Sequence, residues 1–177
     1  MDDVQYGVTE DYFDAVLASD GIAVRMSDNV ALVLAGLVAR LVRFLEDGQL
    51  ESRGGLRRGA SPDKMLRRMF PDAYRGSAEA RSFRERHHAV LRDSAAARCV
   101  QARCATGTSY VINHAEVDDW LSTLGLARLL VVPRDTPTDD MTNTWLTHMQ
   151  DCLVTALNPQ LAGLTASWDH PPTIRRK

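Results

Sequence analysis

Residues 21–34, "GIAVRMSDNVALVL", decide the fold, because three kinds of local chemistry follow one another there. The apolar and β-branched run Gly21 to Met26 reads as a short strand. Ser27-Asp28-Asn29 is a cluster of N-cap residue types, whose side-chain oxygens accept the unpaired N–H groups of a helix start. From Val30 onward, "VALVLAGLVARLVRFLEDG" sets Leu34, Leu37, Val38, Leu41 and Leu45 at helical spacing. Gly48 and then Gly54-Gly55 stop the run. This helix is apolar nearly all round until Arg40, which predicts a central core helix.

Residues 108–121, "TSYVINHAEVDDWL", repeat that order of short strand, polar cap and amphipathic helix. Here Asn113 is the cap, and Val117, Trp120, Leu121, Leu124 and Leu129 are the apolar positions. Glu116, Asp118 and Asp119 suit the positive end of the helix dipole. Two isolated strands would each leave an edge unsatisfied, so they are expected to pair with each other. Between the two units, Ser61-Pro62-Asp63 opens a short helix that ends before Pro71, since a residue preceding proline avoids helical geometry. Ser77 caps a long, arginine-rich helix running to Cys104. Its apolar positions, Phe83, His87, Val90 and Leu91, are sparse, which leaves a broad face to solvent or to a partner. The last helix, "MTNTWLTHMQDCLVTAL", sets Trp145, Met149, Cys152, Leu153 and Ala156 on one face.

The expected architecture is mainly α, a bundle of about five helices with a two-stranded β-ribbon near 22–26 and 109–112. It forms one helical domain over 21–158, which includes a basic loop at 47–62. An acidic extension, 1–20, precedes it, with a weak helix around Tyr12 to Leu17. A loosely ordered tail, 159–177, follows.

A chain of 177 residues with 45% hydrophobic content can bury a core without disulfides. The run Val30 to Val42 is too short and too amphipathic for a membrane span, which needs roughly 20 apolar residues. The acidic start excludes a secretory or transit peptide. Three cysteines without an export signal point to reduced thiols in the cytoplasm. The net charge of −2 hides an asymmetry: residues 1–48 net −6, whereas 49–104 carry thirteen basic residues, twelve of them Arg, and net +7. Such a basic middle is either a surface for an anionic partner or a segment that packs on the acidic one.

The stretch "RRMFPDAYRGSAEARSFRERHHAVLRDSAAARC" resembles the Phe-Pro-Asp-Ala-Tyr-Arg segment and Arg-rich helix of an actinobacterial family, formerly a domain of unknown function and now described as an oxidative-stress transcriptional regulator. "SYVINHAEVDDWLSTLGLARLLVV" and "TWLTHMQDCLVTAL" resemble its strand-plus-helix and its closing helix. Together with the strand and helix at 21–46, the resemblance covers roughly residues 21–158. It implies a non-enzymatic cytoplasmic regulator tied to oxidative stress and cysteine supply, with a sigma factor or RNA polymerase as partner and weak DNA binding besides. It also implies redox signalling through a closely spaced cysteine pair. The chain departs from the pattern in its acidic N-terminal extension and its basic loop at 47–62.

Cys99 and Cys104 are the redox candidates. On a continuous helix, residues five apart lie roughly 8–9 Å apart by rise and radius, beyond the reach of a disulfide. A switch therefore has to unwind the last turn before Gly107, and demands a loosely anchored turn with both sulfurs near solvent. Arg98 and Arg103 adjoin the thiols and are expected to lower their pKa. The alternative is two packing residues. Arg67, Arg68, Arg75, Arg81, Arg84 and Arg86 are the candidates for partner or phosphate contact, the alternative being a solvated face paired by Glu79 and Glu85. The cysteines and histidines show no zinc-ligand spacing, and no cofactor or catalytic motif is present. His87-His88 is expected to split between core and solvent.

Overall fold

The structure, a computed structural model, describes residues 11–49, 61–72, 74–131 and 137–161. Ser27 opens the first helix as its chemistry dictates, its hydroxyl accepting the Val30 N–H at 3.3 Å. That helix, α1 (Asp28–Asp47), ends at Gly48, which turns left-handed and donates its N–H to the Phe44 carbonyl. Leu34, Leu37, Val38, Leu41, Phe44 and Leu45 are buried, so α1 is the core helix its spacing predicts. Leu32 and Val33 fall on its outer face and are exposed.

The sheet has three antiparallel strands in the order β1 (Phe13–Ala18), β2 (Gly21–Met26), β3 (Ser109–Ile112). The expected pairing of β2 with β3 is present, with Ile22 opposite Ile112 and Val24 opposite Tyr110. The third strand corrects the sequence reading: Phe13–Ala18 is not a weak helix. It folds back on β2 across Ser19-Asp20, setting Phe13, Ala15 and Leu17 opposite Met26, Val24 and Ile22. The second half of the acidic extension is thus part of the sheet, and residues 1–10 lie outside the described residues. Gly21 is required where it stands. Its φ is +151°, and a Cβ there would sit 2.0 Å from the Ile112 carbonyl oxygen.

The remaining helices are α2 (Pro62–Met69), α3 (Ser77–Arg86), α4 (His88–Leu91), α5 (Ala95–Thr106), α6 (His114–Leu130) and α7 (Pro137–Leu157), followed by a 3-10 turn at Pro159–Leu161. The expected single helix over 77–104 is therefore three segments, and about five helices become seven among the described residues. The break before α5 has a local cause. The Asp93 carboxylate accepts the Ala95 N–H at 2.9 Å, and the Ser94 hydroxyl donates to Glu46 at 2.6 Å. Such side-chain bonds offer the backbone an alternative to the helical ladder. Of the basic loop 47–62, residues 50–60 lie outside the described residues, as does the tail from 162.

Helix α6 packs against α1, α5 and α7, and its Trp120 is fully buried, with its ring centroid 6.3 Å from that of Phe13 and 6.0 Å from that of Tyr110. The short α2 adds Met65 and Met69 to this core. By contrast, α3 buries only Ala80, and α4 buries nothing. No described helix is long and apolar enough to cross a membrane.

Candidate functional site

Both cysteine candidates lie on α5, which is continuous from Ala95 to Thr106, and both are free thiols. The site around them is organised by Glu116 at the start of α6. Asn113 and Glu116 form a capping box: the Asn113 side chain accepts the Glu116 N–H at 3.0 Å, and Glu116 Oε2 accepts the Asn113 N–H at 3.0 Å. Glu116 Oε1 in turn accepts two bonds from the Arg103 guanidinium, at 2.8 and 2.6 Å, and the Cys99 thiol at 3.8 Å. The Asn113 N–H, with Arg103 behind it, holds this carboxyl below the ordinary carboxylate value.

The expectation that Arg98 and Arg103 acidify the thiols holds only for the pull of Arg103 on Cys99, and that pull is outweighed. Arg98 turns away to Glu46 on α1, at 2.6 and 2.7 Å, and Arg103 is engaged by Glu116. Burial, then the negative charge of Glu116, pushes the Cys99 thiol up. Burial pushes Cys104 up to about 11, with the neighbouring Tyr110 hydroxyl pulling weakly the other way. The final turn is not loose either: Cys104 is buried in the core, and the Thr106 hydroxyl donates to the Arg103 carbonyl at 2.8 Å. Cys152, on α7, is half-buried against the Phe13 carbonyl and the His148 ring, and burial pushes it to about 11 as well.

The arginine candidates are distributed over an arm made of α2, α3 and α4. The block Phe70 to Arg75 fastens it. Phe70 packs against the core, Asp72 pairs with Arg84, and Tyr74 stands edge-on to Phe83 at 5.8 Å. Phe83 stacks in turn on His87 at 4.4 Å, so an aromatic ladder runs along α3 away from the main core. His87 and His88 are both exposed, which corrects the expected split.

Arg67, Arg75 and Arg81 are exposed, Arg68 is half-buried, and none of the four has an ion pair among the described residues. Arg86 is exposed and donates to the Ser82 carbonyl of its own helix at 3.3 Å. Among the described residues, Arg84 alone of the six is committed to an acid, Asp72. Arg81 and Arg84 meet around one groove between α2 and α3–α4, and Arg86 lies beside Tyr74 on the other flank of α3. Arg67, Arg68 and Arg75 enter neither groove. Sequence reasoning missed Arg92, which lines the first groove and rests its guanidinium on Gly48 at the end of α1. Its signal was available: α1 has no basic residue in its own last turn, where a cation is favoured. No group of three or more His, Cys, Asp or Glu able to hold a metal occurs among the described residues.

No curated protein and no solved structure matches the chain. One family model does, that of DUF2017, a domain of unknown function, over residues 13–157. The match begins at the first residue of β1 and ends at the last of α7, and the chain belongs to the DUF2017 family.

Proposed function

We propose that the chain is a non-enzymatic regulator that works by protein contact, through its arginine arm, on an acidic surface of the transcription machinery in the cytoplasm. The single observation that carries the contact surface is the arm's inventory. Arg67 on α2, Arg75 in the bend between α2 and α3, and Arg81 on α3 are exposed without acidic partners among the described residues, and α3 and α4 contribute one buried residue between them. Exposed, unneutralised guanidinium groups are the residues of choice for carboxylate and phosphate recognition. The transcriptional setting comes from the resemblance of the Phe70 to Arg75 block and the helix after it. The cysteines are read as packing residues, because both thiols are held above their ordinary pKa on one intact helix.

The test is a titration of the full chain, and of its Arg75→Glu/Arg81→Glu variant, against the host's purified RNA polymerase, with and without sigma factor, at two salt concentrations. The expected result is binding that weakens with salt and at least roughly tenfold with charge reversal. No binding by the unmodified chain, or tighter binding to plain duplex DNA, overturns the reading. Mass spectrometry after mild peroxide tests the cysteines separately. A Cys99–Cys104 bond in the folded chain would replace inert packing with the redox-responsive regulator that the resemblance implies.

A further inference from the structure

The groove between α2 and α3–α4 differs from the rest of the arm in chemistry. Its floor is apolar, with Leu66 from α2 and Leu91 from α4, and its rim is cationic, with Arg81, Arg84 and Arg92 beside His88. One of these guanidinium groups is already fixed. Arg84 is held by Asp72, and Arg92 lies over Gly48 with its Nε buried and without a hydrogen-bond partner among the described residues. A buried donor without a partner costs free energy that an incoming acceptor recovers. A fixed donor also loses less freedom on binding than a mobile one. We infer that this groove is a docking site for an acidic amphipathic segment of a partner protein, one carboxylate meeting Arg81 and Arg92 while an adjacent apolar side chain covers Leu66 and Leu91.

The choice between a peptide and a nucleic acid rests on the lining. A phosphate backbone presents continuous charge and no apolar side chain, so it leaves Leu66 and Leu91 uncovered. Glu85, also on the rim and one helical turn from Arg81, repels a run of phosphates more than it repels a single carboxylate. Helices that dock in grooves do so with anchors at i, i+3 and i+4, the spacing that sets an acid beside a Leu on one face.

This inference rests on reading the arm as a contact surface, and its test separates the two. The probe is a labelled helical peptide with Glu and Leu at i, i+4 spacing, followed by fluorescence anisotropy against the full chain. Controls are the same peptide with every Leu replaced by Ser, and a DNA duplex as competitor. The expected result is binding of the first peptide, loss of at least roughly tenfold with the Ser peptide, and a similar loss in the Arg81→Glu variant. Arg81 is exposed and unpaired among the described residues, so its variant folds, which circular dichroism checks. Equal binding of the two peptides, binding indifferent to Arg81, displacement by the duplex, or no binding at all each overturns the inference. If the peptide fails while RNA polymerase still binds through Arg75 and Arg81, the groove falls alone. If both fail, the contact reading falls with it.

Discussion

The body built from α1, α5, α6, α7 and the sheet differs from the arm of α2, α3 and α4 in where its side chains find their partners. In the body, apolar side chains meet across elements and three arginines are paired with acids: Arg98 with Glu46, Arg103 with Glu116, Arg25 with Asp14. In the arm, the apolar contacts of α3 are a local aromatic ladder, and arginines stand open. Burial and pairing concentrate stability in the first region. In the second, α2 alone adds more than one residue to the core, and the arginines offer charge to a partner. The same arginine residue type therefore does two jobs, and what decides between them is tertiary geometry.

The sharpest way to break this contrast is at Trp120. The ring is fully buried between Phe13 and Tyr110, so Trp120→Ala removes the largest buried side chain and leaves a cavity. The expected loss is about 3–5 kcal/mol, read as a lower urea midpoint at unchanged slope. A loss below about 1 kcal/mol, no more than an average substitution costs, would mean that the body is not the seat of stability.

Much of the body was legible because its signals are local. Ser27 and Asn113 cap the helices they precede, and the two strands beside them pair as their isolation demands. Strand β1 was not legible as a strand. "FDAVLA" alternates poorly, since Val16 and Leu17 are both apolar and both half exposed, and pairing with β2 fixes its structure. The usable signal was Ser19-Asp20 just before Gly21, a pair of turn-forming residues between two apolar runs. The thiol environment was misread for a related reason. Arg98 is next to Cys99 in sequence but leaves for another helix, while Glu116, seventeen residues on, reaches the sulfur. Neighbours along a helix do not face one another. In the arm, residue types pointed to the surface, but which arginines remain open could not be read without knowing that Asp72 takes Arg84.

Glu116 gives an intermediate effect, because it is both a cap and an ion-pair acceptor. Glu116→Gln keeps the shape but loses the charge that Arg103 meets, with an expected cost of about 1–2 kcal/mol at neutral pH. The pH dependence has a definite sign. The folded carboxyl titrates below its ordinary value of 4.5, so near that pH the unfolded chain binds more protons than the folded one. The contribution is full above 4.5 and is lost as pH falls through the folded value. Denaturation midpoints of wild type and variant should therefore converge in acid and separate toward neutrality. The same change removes a negative charge that holds the Cys99 thiol up, so Cys99 should react faster with an alkylating reagent. Parallel midpoint curves with no convergence would remove Glu116 from the organising position assigned to it.

The smallest effect on stability is expected in the arm, and its smallness is the point. Arg75→Glu/Arg81→Glu reverses two exposed charges that have no ion pair among the described residues, so the stability change should stay within about 0.5 kcal/mol. Amide exchange carries the same contrast without mutation. Helix α3 holds one buried residue, Ala80, and should exchange through local opening, whereas α1, with its buried face, should exchange only as the whole domain opens. Adding a bound partner then becomes informative. A ligand that docks on the arm should slow exchange in α3, whose local opening releases it, and should slow α1 too, because opening the whole domain also releases the ligand. A partner that slowed α1 while leaving α3 unchanged would be bound to the body, since opening of α3 would not release it, and the assignment of docking to the arm would fail.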